Sequence, residues 1–267
     1  MKNDLPAWID RLVVVGLTGA GLLHPDPKLW FTSLGTMFVA IAGLVLVGCT
    51  LTTLVCARLG TRVQGPRVKP AMIARGVRDT AVAAWVAACF AAWPLAMIRA
   101  GQPTAMVWSL AEAHTTPLRV VFQTLIGVVV MDAWLYWKHR LLHTRLLWGF
   151  HREHHVYRDP TAFSGFAVGP VESVLTFWPI LILCIPAAVH WAPLYFGLVG
   201  GFVVLNFYLH CGVTFRLAEA LLPRALVNTS AFHNQHHANA NVNFGEALTL
   251  WDRVCRTRAQ DRATGSA

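Results

Sequence analysis

The sequence predicts an all-α fold: a multi-pass transmembrane helical bundle with a histidine-rich metal site at its cytoplasmic face. Three observations predict it. Several apolar runs approach the ~20 residues that cross a bilayer core. Only 13% of residues are charged, against roughly 25% in a soluble domain. Most histidines lie beside the basic loops. The 55% hydrophobic content excludes a disordered chain, and 267 residues leave little room for a fused reductase or haem domain beside a membrane body.

The elements follow in chain order. Residues 12–23 form an apolar stretch, short for a crossing, which predicts a tilted or interfacial first helix before the His24-Pro-Asp-Pro break. No small-residue cleavage site precedes that break, so a cleaved signal is not expected. Further spans are expected at 35–57, 80–98, 117–137, 172–190 and 193–211, the last two as a tight hairpin through His190-Trp-Ala-Pro193.

The basic residues orient these spans. The loop 58–79 carries Arg58, Arg62, Arg67, Lys69, Arg75 and Arg78, and segment 138–160 carries Lys138, Arg140, Arg145, Arg152 and Arg158. The tail adds Arg216, Arg224, Arg253, Arg256, Arg258 and Arg262, so 17 of 22 basic residues fall on one side. The positive-inside rule makes that side cytoplasmic. The net charge of +9 therefore reads as orientation and headgroup contact rather than nucleic-acid binding. Arginine outnumbers lysine 18 to 4, which points to a bacterial protein and its inner membrane. Of six cysteines none forms a Cys-x-x-Cys pair, so neither a disulfide framework nor a thiolate zinc site is expected.

The topology sorts the twelve histidines. His24, His114 and His190 fall alone on the outer side and read as structural. The other nine fall at the basic face: His139 and His143, then His151, His154 and His155, then His210, then His233, His236 and His237. From composition alone a given His-x-x-His-His should occur about 0.02 times in such a chain; it occurs twice. Helical residues three or four apart share a face, so His139/His143, and His151 with His154 or His155, can each chelate one ion. Adjacent residues diverge by about 100° on a helix, so His154/His155 and His236/His237 suit two different ions.

The competing classes fit less well. A membrane haem carrier needs single histidines facing each other inside spans. A zinc hydrolase needs a carboxylate at ligand spacing, and His-Glu-x-x-His is absent. A metal transporter needs ionisable residues through the mid-membrane, where only Asp132 and His210 come close.

The pattern Asp132-x-x-x-Tyr136-Trp137-x-His139-Arg140-x-x-His143, then His151-x-x-His154-His155 and His233-x-x-His236-His237, resembles the sterol desaturase/fatty acid hydroxylase superfamily. Asn243-Phe-Gly245 and Leu248-Thr-Leu-Trp251-Asp252-Arg253 resemble its C-terminal signature. The short gap from His143 to His151 is similar to this superfamily rather than to acyl-CoA desaturases. The resemblance covers about 117–258 and divides the chain into N-terminal transmembrane helices, 1–116, and a hydroxylase-like catalytic domain, 117–267. Many members have His-Pro where this chain has Gly169-Pro170.

The resemblance implies a di-iron centre of two histidine-ligated iron ions, with O2 as co-substrate. The implied reaction is hydroxylation of an unactivated C–H bond of a lipid, sterol or isoprenoid, RH + O2 + 2e⁻ + 2H⁺ giving ROH + H2O. Desaturation or sterol methyl oxidation are the alternatives. Electrons would come from a separate ferredoxin- or cytochrome b5-type donor with its reductase. Asp132, on one helical stripe with residues 136, 139 and 143, is a candidate to orient a metal-bound imidazole or to pair with an arginine. Asn206, four residues before His210, stands where some members supply another ligand; it is a candidate catalytic residue or a helix-helix contact. Glu153, Asp159, Glu172, Glu246 and Asp252 are further carboxylates at this face.

Overall fold

The computed structural model describes residues 5–63, 70–112, 115–158 and 160–264; Arg67, Lys69, His114, Asp159 and the side chain of Arg262 lie outside the described residues. The helices are α1 (Leu5–Gly19), α2 (Pro27–Cys56), α3 (Pro70–Arg99), α4 (Pro117–Leu142), α5 (Trp148–His151), α6 (Pro170–Phe177), α7 (Ala192–Leu209), α8 (Arg216–Leu221), α9 (Ser230–Ala238), α10 (Leu250–Val254) and α11 (Ala259–Thr264). Five helical stretches are long and apolar enough to cross a membrane: Leu5–Leu23, Pro27–Cys56, Ala71–Arg99, Pro117–Leu142 and Ala192–Leu209. The first is longer than the expected 12–23 because α1 already starts at Leu5, and a 3₁₀ turn at Ala20–Leu23 continues it to the expected end.

Helix starts follow local chemistry. Asp26 accepts from Leu29 N–H ahead of Pro27, and Thr116 accepts from Arg119 N–H ahead of Pro117. A side-chain oxygen satisfies an orphan amide, and proline at the first turn wastes no donor. Helix α6 starts at Gly169-Pro170 with no cap of its own. Its Val171 N–H instead donates to Asp10 of α1 at 3.0 Å.

The expected span 172–190 is the main departure. It is α-helical only to Phe177 and tightens into a 3₁₀ helix over Trp178–Cys184. Pro179 is the physical reason, since it removes an amide donor and its ring crowds the carbonyl four residues back. Rises of 1.5 and 2.0 Å per residue still carry Pro170–Cys184 about 26 Å. Its far end is tied to the loop after α3: Ala105 N–H donates to Leu183 O at 2.8 Å, and His190 N–H to Ala105 O at 2.8 Å. There β2 (Met106–Val107) pairs in parallel with β3 (His190–Trp191), while β1 (Thr61–Arg62) pairs with β4 (Val213–Thr214) at the opposite end.

Helix α3 is the axis. Its Ala83, Ala84, Ala87, Ala88, Ala91 and Ala92 are all buried, and small residues let membrane helices approach closely. At one end Trp30 and Leu34 of α2 meet Ala88, Cys89 and Ala92 of α3, and Arg99 donates to Ser33 and Thr36 hydroxyls. At the other, Cys49 and Thr80 donate to the carbonyls of Ala162 and Phe163. That second end also holds the start of α1, the end of α4 and the end of α7. The five candidate spans and the shorter apolar helix at Pro170–Cys184 thus each bring one end to one histidine-rich face.

Gly48 of α2 touches the Phe207 ring of α7 so closely that an added Cβ would overlap it. Gly48→Ala is expected to destabilise by about 1–3 kcal/mol through overpacking, read as a lower thermal midpoint in detergent; an unchanged midpoint would contradict this contact.

Candidate metal centre

The nine clustered histidines meet, and they divide. His139, His143, His151, His155 and His236 form one group, and His154, His210, His233 and His237 a second, the nitrogens of each within 4.8 Å of one another. The adjacent pairs split as their helical divergence requires: His155 and His236 join the first group, His154 and His237 the second. All nine rings are buried except His143, which is partly so.

Each ring is delivered by a helix end. His139 lies in the last turn of α4 and His143 is its C-cap. His151 closes the short α5, and His154 and His155 open a 3₁₀ turn. His210 is the C-cap of α7. In α9, which Thr229 caps by accepting from Phe232 N–H, His233 and His237 share a face and His236 points away to the first group.

Hydrogen bonds fix the ring orientations. Nδ1 of His139 donates to Phe244 O at 2.8 Å, that of His236 to Val242 O at 2.7 Å and that of His210 to Asn206 O at 3.1 Å. His151 Nδ1 meets Glu172 Oε2 at 2.7 Å. The Nε2 atoms of these rings are thereby turned inward. His151 Nε2 lies 3.1 Å from His155 Nε2, and His210 Nε2 lies 2.9 Å from His233 Nε2. Two nitrogens bound at right angles to one ion, at ~2.1 Å each, are about 3.0 Å apart. Nitrogens of His139, His143, His154, His233, His236 and His237 are buried with no partner among the described residues. The donor set therefore fits two imidazole-ligated ions.

Burial also disfavours the protonated rings. It pushes His143 down to about 2, helped by His151 and His236. It lowers His210 and His236 to about 4, eased in each by the carbonyl bond. His151, His155, His233 and His237 fall well below the ordinary imidazole value, through burial first and neighbouring charge second, and His154 through burial, partly opposed by Glu172. Neutral rings keep the lone pair that a ligand needs.

The remaining expectations land in different places. Asp132 does not reach an imidazole or an arginine: its Oδ1 accepts from Leu248 N–H at 3.0 Å, so it ties α4 to the C-terminal loop. Asn206 is beside the second group, where its carbonyl oxygen takes the His210 proton and its side-chain Oδ1 is buried without a partner. Gly165 allows this, because a Cβ there would overlap Asn206 Oδ1. Glu153 pairs with Arg75 away from the rings. Trp148 packs 5.3 Å from both His143 and His155.

The C-terminal signature explains itself as a bracket. Asn243 takes a left-handed φ of 57° and donates to Phe232 O and Gln235 Oε1 at 3.0 Å each. Asp252 accepts from Phe244 N–H at 2.9 Å, Gly245 N–H at 2.7 Å and the Thr257 hydroxyl at 2.6 Å. The loop carbonyls that hold His139 and His236 are set by these bonds. Sequence reasoning missed Lys138, which is buried beside His139. The only available signal was a lone lysine in an apolar helix.

A cavity of about 50 Å³ adjoins the rings. His139, His151, His154, His210 and His233 line one side, and Phe166, Val168, Phe177, Phe202 and Leu209 another.

Comparison with known proteins converges on the same segment. A family model described as fatty acid hydroxylase matches residues 124–257, which contain all nine clustered histidines. A lathosterol oxidase of Mus musculus is 36% identical over 127 residues, 46% of this chain and 40% of that protein. An ornithine lipid hydroxylase of Rhizobium tropici is 31% identical over 180 residues, 64% and 51%. A probable Delta(7)-sterol 5(6)-desaturase of Neurospora crassa is 31% identical over 142 residues, 50% and 37%. The chain thus spans about half or less of the length of these relatives. No solved structure matches.

Asp252→Ala removes an acceptor from two backbone amides and a hydroxyl in a fully buried position. It is expected to cost about 2–4 kcal/mol, seen as a lower thermal midpoint and faster proteolysis after residue 240. Asp252→Asn, which keeps one acceptor oxygen, is expected to lose less.

Proposed function

The chain belongs to the fatty acid hydroxylase family, within the sterol desaturase/fatty acid hydroxylase superfamily, and on that premise we propose that it is a membrane-bound di-iron oxygenase. In this reading it hydroxylates an unactivated C–H bond of a lipid, sterol or isoprenoid with O2 and two electrons. The observation that carries it is the division of nine clustered histidines into sets of five and four, with unpartnered buried nitrogens in both. No side-chain acid or base oxidises an alkyl C–H bond. Iron bound in the two sets supplies O2 activation and the oxidising chemistry.

The chain's own groups do the rest. His139, His143, His151, His155 and His236 would hold one ion, and His154, His210, His233 and His237 the other. The carbonyls of Phe244, Val242 and Asn206, with the carboxylate of Glu172, orient four of those rings, as partners of metal-bound histidines generally do. Asn206 Oδ1, buried without a partner in the cavity that His154, His210 and His233 also line, is a further polar group offered to the four-histidine set. Asp132 acts at a distance, by holding the loop at Leu248. The phenylalanines and leucine of the cavity keep water from the reacting C–H bond. The cavity of about 50 Å³ has room for a small ligand such as O2 beside the rings. Phe177 of α6 and Phe202 and Leu209 of α7 contribute to its apolar wall, with Phe166 and Val168 from the segment before α6, which supports access for the substrate from the bilayer.

Residues 117–267 form the catalytic unit in this account. The helices before it brace it through Asp10, Cys49 and Thr80. The basic loops at the histidine face support a cytoplasmic site in a bacterial inner membrane, where a separate ferredoxin- or cytochrome b5-type donor delivers the electrons. Desaturation starts from the same hydrogen abstraction, and the names of the relatives include oxidase, desaturase and hydroxylase. The product decides between them.

Purified, iron-loaded protein is expected to hold about two ions per chain. His155→Ala should empty the five-histidine set and His154→Ala the four-histidine set. Either change should abolish a lipid product heavier by one oxygen, or lighter by two hydrogens, when candidate lipids are fed to an expressing host. A haem absorption band, or full metal occupancy in both variants, would overturn the reading.

A further inference from the structure

Lys138 is the only lysine or arginine buried among the described residues, at 3% exposure. A buried ammonium needs acceptors and counter-charge. Its Nζ lies 2.7 Å from Glu246 Oε1, 3.1 Å from Thr176 Oγ1 and 4.0 Å from Glu172 Oε1. The other oxygen of the same glutamate, Oε2, meets His151 Nδ1 at 2.7 Å. One carboxylate therefore has its two oxygens divided between an ammonium and an imidazole.

This arrangement is unique within the centre. His139, His210 and His236 hand their Nδ1 protons to backbone carbonyls, which the fold holds in place. A glutamate side chain has three rotatable bonds and needs its own anchor to act as a fixed acceptor. Thr176 holds the ammonium beside that carboxylate: its hydroxyl accepts from Lys138 and is itself fixed by donating to the backbone carbonyl of Glu172 at 2.9 Å. Glu246 completes the anchor from the C-terminal loop and remains 18% exposed.

We propose that Lys138 is a positioning residue for the five-histidine group alone, acting through Glu172 to fix the tautomer and ring angle of His151. No carboxylate hydrogen-bonds a ring of the four-histidine group among the described residues; Glu172 acts on His154 through its charge alone. The two metal positions are therefore unequal in what holds them. The inference rests on the metal-centre reading given above, and the test separates the two.

Full-length protein in detergent is stripped of metal and titrated with Co(II), whose visible absorption reports ligand geometry. Lys138→Met is expected to weaken one of two cobalt sites about 10–100-fold, alter the absorption of that site, and leave the other unchanged. Glu172→Gln should weaken the same site, and the double variant should be no worse than Glu172→Gln alone. Lys138→Arg should recover part of the loss. Unchanged affinities in Lys138→Met, equal weakening of both sites, or additive losses in the double variant would overturn the proposal. If Lys138→Met does not fold, Thr176→Val reads the same site with a smaller loss, and no loss there is equally contrary. Wild-type protein that takes up fewer than two Co(II) per chain would contradict the two-metal reading itself.

Discussion

Seven ring nitrogens, from His139, His143, His154, His233, His236 and His237, are buried without a hydrogen-bond partner among the described residues. A buried polar atom left in that state costs about 1–3 kcal/mol. In the proposed centre, shared cations offset this cost for one nitrogen of each ring, and only if every ring presents the correct one. The rest of the structure serves that condition. Backbone carbonyls at Asn206, Val242 and Phe244 and the carboxylate of Glu172 each occupy one Nδ1 and leave Nε2 free.

Those carbonyls need fixed positions in turn. The left-handed turn at Asn243 and the three bonds to Asp252 hold the 242–245 loop under α4 and α9. Asp132 secures the next residues at Leu248. On the other flank, Asp10 of α1 caps the helix that carries Glu172. A helix outside the family match at 124–257 thus steadies a group in contact with His151. The bilayer explains the location: helix interiors satisfy their own amides in lipid, whereas helix ends at the surface can support irregular, polar backbone.

What was legible in the sequence is what depends on local geometry. Adjacent histidines diverge on any helix, so His154/His155 and His236/His237 announced two groups before any fold was known. Asp26-Pro27 and Thr116-Pro117 cap and start helices, yet only the start at 117 was expected; the apolar run placed the other at 35, eight residues late. Pro179 carried a local signal too, but the apolar run around it outweighed the break. What stayed hidden depends on distant partners. Asp132 looked like a neighbour of its own helical stripe, yet its partner Leu248 is 116 residues away. Lys138 read as one more basic residue at a membrane edge until Glu172 and Glu246 closed around it.

Locating iron by anomalous scattering in an experimental map of the loaded protein tests the two-group centre most directly. Two peaks are predicted: one among His139, His143, His151, His155 and His236, the other among His154, His210, His233 and His237. A single peak shared by both sets, or metal bound elsewhere in the bundle, would contradict the account.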